Sequence, residues 1–184
     1  MEELHQGQLL IADPFLNDPN FLRSVVLLCE HSTALGTLGF VLNQKSEHTI
    51  GELMLAMTGY DFPVFIGGPV QKDHLFFIHN QPGIITGGVE IIPGIFWGGE
   101  MEETFEKVKT GKLEEKNIKF FLGYSGWEKG QLEHEMELKS WLTTEADAQL
   151  LFNTNPGNIW REALQKKGGK YTQLIHYPID PMLN

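Results

Sequence analysis

The segment 120–142, FFLGYSGWEKGQLEHEMELKSWL, carries most of the residues whose types and spacing could do chemistry. Within it, Gly123-Tyr124-Ser125-Gly126-Trp127 approaches the strand–turn–helix frame of a nucleophilic serine. That frame needs a glycine two residues after the serine so that helix and strand can approach, and Trp127 occupies the position. Glu133 and Glu137 fall one helical turn apart, a spacing that suits acid–base work or a divalent cation, while Glu135 is turned away. Their neighbours Glu128 and Lys139 make a solvated charged face the simpler reading. Cys29 and His31 lie two apart in an apolar run, so a strand puts both on one face. They could form a thiolate–imidazole pair or share a metal, against the plainer reading of a buried cysteine beside a strand-end histidine. His74 and His79 are five apart and point to opposite faces of a strand, so no metal site is read there. Gly67-Gly68-Pro69-Val70 could offer backbone N–H groups to a phosphate. It lacks the lysine and hydroxyl of a phosphate loop, Pro69 removes a donor, and a turn is the reading adopted. No cofactor is read from any of these patterns.

The elements that must position these groups follow from hydrophobic periodicity. Gln8–Ala12 reads as a strand, and 13–20 as a loop of Asp–Pro turns. SVVLLCEH at 24–31 alternates two apolar faces, as a central strand does, and 38–42 returns as its hairpin partner. Thr49 and Glu52 make a capping box, followed by Ile50, Leu53, Met54 and Met57 on one helical stripe that Gly59 ends. Pro63–Ile66 and 75–78 read as strands, and Val89–Ile92 with Ile95–Trp97 as a hairpin. A helix is expected over 100–109, with Met101, Phe105 and Val108 inward, acids early and lysines late. Phe120, Phe121 and Leu122 are a strand buried on both faces. Gly123, Gly126 and Gly130 then suggest a glycine turn, with a helix over 131–138 and an extended 140–142. Residues 145–152 read as helical, and Asn155-Pro156 opens a last helix carrying Trp160, Ala163 and Leu164 inward. The tail 170–184 is read as extended. Short strands joined partly by hairpins, with helices interspersed and no strict βαβ alternation, give an α+β fold in a single domain over 1–184.

Composition narrows the function classes. Net charge is −10, opposed to the phosphate attraction on which nucleic-acid binding rests. Lys166, Lys167 and Lys170 form the one basic cluster, and no helix carries a base-reading pattern. Four tryptophans without interleaved basic residues read as packing rather than as base-stacking platforms. One cysteine excludes an intrachain disulfide, and no signal segment or membrane-length apolar run is read, so a cytoplasmic protein without a membrane partner is expected.

GQLLIADPFLNDPNFLRSVVLLCEH, GFVLNQ, GGPV at 67–70 and GYSGWEKGQLEHEMELKSWL, in that order, strongly resemble the AlgH/YqgE family of bacterial proteins. The resemblance runs from about residue 7 to 160 and rests on four separated motifs. It implies a single α+β domain whose mixed, largely antiparallel sheet curves into a half-barrel with helices packed outside. It implies no biochemical activity; some members carry a transcriptional-regulator label that descends from a genetic role in exopolysaccharide control.

Asp13, Asn43, Gly67, Gly68, Pro69, Gly123, Gly126, Trp127, Gly130, Gln131 and Glu133 match the family motifs position by position. One reading makes them structural: glycines setting turns, Asn43 bonding backbone at a strand end, Trp127 closing the core edge. The other gathers Asn43, the Gly67-Gly68 turn and the 123–131 rim, Ser125 included, around one crevice for a protein partner or small ligand. The function expected is a non-enzymatic regulatory or adaptor protein, with direct DNA binding disfavoured. The alternative is a hydrolase working from a rim pocket near Ser125 or Cys29.

Overall fold

The computed structural model describes residues 3–178. Ten strands make up the sheet: β1 Gln8–Ala12, β2 Val25–Ser32, β3 Gly36–Val41, β4 Lys45–Thr49, β5 Pro63–Ile66, β6 Val70–His79, β7 Val89–Ile92, β8 Ile95–Trp97, β9 Ile118–Trp127 and β10 Trp141–Glu145. Four α-helices accompany them: α1 Ile50–Leu53, α2 Met101–Lys109, α3 Gln131–Glu137 and α4 Ile159–Lys167. The main path runs β10-β1-β2-β3-β9-β6-β8-β7, with β4 and β5 branching from β9. Among the described residues only β5 and β9 pair in parallel; the other ladders are antiparallel.

β9 is the strand on which the sheet turns. Its first half lies between β5 and β6, and its last three residues switch to β3, Thr37 facing Trp127 and Gly39 facing Ser125. A strand with neighbours on both sides and apolar residues on both faces must be covered on both faces. Phe121 points into the core beneath α4, and Phe120 into the core beneath α1 and α2. The β1–β2–β3 region is likewise sandwiched. Leu9, Ile11, Val25 and Leu27 meet Trp160, Ala163 and Leu164 on one side, and Leu10, Val26 and Leu28 meet Trp127, Leu132 and Trp141 on the other. The sheet curves without closing. Ile91 of β7 shares the core of Leu9, and the Gln6 side-chain amide donates to the carbonyl oxygens of Glu90 and Ile91. This is the α+β, half-barrel arrangement expected from the resemblance.

Several expectations need correction. The 123–126 stretch is strand, not turn: β9 continues through Trp127, with Gly123 at φ +67° inside it. The stripe after Thr49 does not build one long helix. α1 is a single turn that breaks at Met54 (φ −120°, ψ 112°), while the N–H groups of Ile50 and Gly51, free at any helix start, donate to the carbonyls of Phe62 and Tyr60. Ile50 and Met57 are nonetheless buried as their spacing required. Of the capping box, the arm from the Thr49 N–H to Glu52 Oε2, 2.8 Å, is formed. β6 begins five residues before 75–78 and ends one residue after it, and the polar strand β4 was not foreseen. Residues 145–152 are not one helix; β10 ends at Glu145 and a π-helical turn spans Gln149–Asn153. The tail is not extended throughout: Gly169–His176 is 3-10 helical, with Tyr171, Leu174 and Ile175 packed against the core. Residues 179–184 lie outside the described residues.

Candidate functional site

Gly67, Gly68, Gly123 and Ser125 come together where the loop between β5 and β6 crosses β9. A Cβ on Gly68 would stand 2.2 Å from the Tyr124 carbonyl carbon, and one on Gly67 would stand 2.3 Å from the Gly123 oxygen. Only glycine lets two backbones cross this closely. The Gly67 carbonyl accepts from the Val41 N–H at 2.9 Å and from Ser125 Oγ at 3.0 Å, tying three strands together. Ser125 is fully buried and its hydroxyl proton is used in that bond, so it is not presented to a substrate. Pro69 is exposed beside this crossing.

Gly126, Trp127 and Gln131 converge elsewhere, along an open cleft of about 800 Å³ at the ends of β2, β3 and β9. Glu30, His31, Thr37, Tyr124 and Glu128 are also among its lining residues, and Leu35, 90 % exposed, stands at its hairpin edge. That hairpin is pinned by Gly36 at φ +110°, where a Cβ would lie 2.4 Å from the Trp127 oxygen. Gly130, at φ +75°, turns the chain into α3. Gln131 Oε1 then accepts the Glu128 N–H at 3.0 Å. The Trp127 indole donates to Glu135 Oε2 at 3.0 Å, so Glu135, turned away from the Glu133 and Glu137 face as expected, has a bonding role that was not foreseen. Glu135 was missed because a short helix of alternating charges gives no strong facial signal.

His31 separates this cleft from a smaller one of about 460 Å³ that includes Glu133. His31 Nδ1 lies 2.7 Å from Thr37 Oγ1, and Nε2 lies 3.9 Å from Glu133 Oε1. Hydroxyl, imidazole and carboxylate thus stand in a row, but the last gap exceeds hydrogen-bond range, so the orienting bond of a hydrolytic triad is not made. Cys29 is fully buried and burial pushes its thiol well above the usual range, Glu30 adding to the effect. It is a core residue rather than a ready thiolate partner for His31. Among the described residues no group of three or more His, Cys, Asp or Glu side chains is placed to hold a metal ion.

Asn43 and Asp13 serve the backbone. Asn43 Oδ1 accepts the Val25 N–H at 3.0 Å and its amide donates to the Arg23 carbonyl at 2.9 Å, closing the end of β2. Asp13 Oδ1 accepts the Phe15 N–H at 2.9 Å in an Asx turn. The candidates therefore do not share one crevice: Gly126, Trp127 and Gln131 line the larger cleft, Glu133 lines its neighbour, and the others lie at the backbone crossing or at turns and strand ends.

A further cavity, of about 470 Å³, lies at the other end of β9, between β5, β9 and the 152–156 segment, and it was not anticipated. Lys119 lines it, 8 % exposed, with Nζ 4.6 Å from the centre of the Phe65 ring. Burial lowers its pKa to about 8. The available signal was a lysine interrupting the apolar run of residues 118–122.

A family model described as AlgH-like matches residues 9–172. A UPF0301 protein of Cytophaga hutchinsonii is 42% identical over 182 residues, covering 98% of this chain and 100% of the relative. One of Chlorobaculum tepidum is 40% identical over 183 residues, covering 100% of this chain and 97% of the relative. Among solved structures, the AlgH protein from Pseudomonas aeruginosa superposes with a TM-score of 0.74 at 28% identity, over 97% of this chain and 98% of that one. A protein from Corynebacterium diphtheriae gives 0.76 at 20% identity, over 96% and 94%, a likeness of fold alone.

Proposed function

The chain belongs to the AlgH-like family, whose function is uncharacterised, and from that premise we propose that it is a non-enzymatic regulatory or adaptor protein that docks a protein segment in the cleft beside Trp127. One observation carries the reading. Gly126, Trp127 and Gln131 line the open cleft, whereas Ser125 and Cys29, the side chains a hydrolase would use there, are buried and turned away from it.

The cleft's chemistry suggests its occupant. Glu30 and Glu128 supply negative charge and Leu35 an exposed apolar edge, which favours a segment bearing basic and apolar side chains. Direct DNA contact is no part of this reading. Net charge is −10, Lys166 is paired with Asp147, and Lys167 and Lys170 lie over the Tyr171 ring. We place the protein in the cytoplasm on its single cysteine. Among the described residues no helix is long and apolar enough to cross a membrane.

The test is photo-crosslinking in native cell extract from positions 35 and 128, with position 55 as the control, since Leu55 is 93 % exposed and lies outside the cleft. A common adduct from 35 and 128, absent from 55 and lost in the Glu30→Lys variant, is expected. The same adducts from all three positions, or adducts that survive Glu30→Lys, would reject the docking cleft.

A further inference from the structure

Lys119 is a buried cation without an opposing charge. Among the described residues its Nζ makes no ion pair within 4.0 Å and no hydrogen bond; its one close electrostatic contact is the Phe65 ring. An ammonium on so buried a side chain is disfavoured without a partner, and an anion entering the cavity would supply one. The cavity it enters has a volume of about 470 Å³, within the range of small-molecule sites. Pro63, Phe65, Ile118, Phe152 and Pro156 form the apolar part of its walls. Asn153 and Asn155 add amides beside the lysine. Lys116 at the rim is already paired with Glu114 at 2.9 Å, Glu115 stands at the rim, and Lys45 lines the adjoining groove.

We propose that this cavity binds a small monocarboxylate with an apolar body, the carboxylate pairing with Lys119 Nζ and the body lying against Phe65 and Phe152. The acid supplies the charge that Lys119 lacks, and burial makes that pair stronger than it would be in water. Phosphate or a dicarboxylate fits less well, because Lys116 is already paired with Glu114 and Glu115 opposes a second negative charge. The site lies apart from the cleft beside Trp127 and does not depend on it.

Calorimetric titration of the whole chain with benzoate and hexanoate at pH 7, against benzamide and hexanamide, tests the assignment. One saturable site is expected for at least one carboxylate and for neither amide. Lys119→Met, which keeps length and removes charge, should weaken binding at least tenfold with the near-UV circular dichroism unchanged. Should that variant not fold, the native protein still decides. Raising the pH from 7 to 9.5 neutralises a lysine held near 8 while both probes stay ionised, so affinity falls by as much as about thirtyfold. Failure of both carboxylates to saturate, equal binding of the amides, undiminished binding by a folded Lys119→Met, or pH-independent affinity would each overturn the proposal.

Discussion

Trp127 and Trp141 donate their indole N–H groups to the same oxygen, Oε2 of Glu135, at 3.0 and 2.8 Å, with ring centroids 6.0 Å apart and planes at 81°. One carboxylate thus joins the end of β9 to the start of β10 beneath α3, and its other oxygen accepts from Gln131 at 3.1 Å. Removing the acceptor strands two partly buried donors, which costs more than the bonds contribute. Glu135→Ala should destabilise by about 2–4 kcal/mol, and Glu135→Gln, which keeps one acceptor, by about half as much. Denaturant melts followed by tryptophan emission measure both, and a loss under 0.5 kcal/mol for the alanine variant would remove Glu135 from this role.

The crossing of Gly68 over β9 predicts a sharp contrast between glycines. A methyl group on Gly68 meets only backbone atoms of Tyr124 and Ser125, at 2.2–2.3 Å, and these cannot yield without parting the sheet. Gly59 also has positive φ, +92°, but nothing lies within 4 Å of its added Cβ. Gly68→Ala should therefore cost about 3 kcal/mol or more, whereas Gly59→Ala carries only backbone strain of about 1 kcal/mol. Thermal melts of the two variants side by side check this, and equal losses would contradict the close crossing.

The same residues show how far the sequence could be read. The two apolar faces of residues 25–31 and the charge order of α2 were legible because each repeats a local rule several times. Ile50 and Met57 were rightly assigned to the core while their helix was not, since periodicity reports burial and not whether the chain stays helical from one buried residue to the next. β4, with the polar sequence KSEHT, pairs with β5 alone and carries no apolar alternation to announce it. Glycines 67, 68 and 123 were singled out, yet their purpose, mutual approach, is a tertiary fact. The roles of Glu135 and Lys119 depend on partners brought from other elements, which residue type alone does not reveal.

Cys29 gives a direct test of whether a thiol could serve this protein's chemistry. It is fully buried among Leu27, Phe40 and Leu42, and burial raises its pKa well above the ordinary value. The thiolate is the reactive form, so the native protein should resist iodoacetamide at pH 8 and be alkylated completely once unfolded in guanidinium. Mass spectrometry of both samples gives the answer; rapid native alkylation at Cys29 would restore the thiol to the list of usable nucleophiles.

His79 should give the acid side of the stability profile. It is fully buried, with its ring stacked on Phe96 and Nδ1 accepting the Gln81 N–H at 3.2 Å. Burial lowers its pKa, with the Gly98 backbone acting in the opposite sense. The unfolded chain then takes up the proton more readily than the folded one, so stability is complete above about pH 6.5 and declines as the pH falls below it. His79→Phe should flatten the slope of unfolding free energy between about pH 5 and 7; an unchanged slope would show that His79 does not contribute to it.

Lys119 should shape the alkaline side with the same sign at a higher pH. Its folded pKa of about 8 lies below that of an unfolded lysine, ~10.4, so the folded chain holds this proton less tightly. Below pH 8 the whole cost of keeping the buried ammonium is present, and stability contributed by its neutral form grows as the pH rises towards ~10.4. The difference between the two values corresponds to about 3 kcal/mol, part of which the Phe65 ring contact already offsets. Lys119→Met should consequently raise the unfolding free energy at pH 7 by about 2–3 kcal/mol and remove this alkaline rise. Guanidinium melts at pH 7 and 9.5 decide the matter, because a variant less stable than the native chain at pH 7 would mean that the ammonium is already satisfied in the fold.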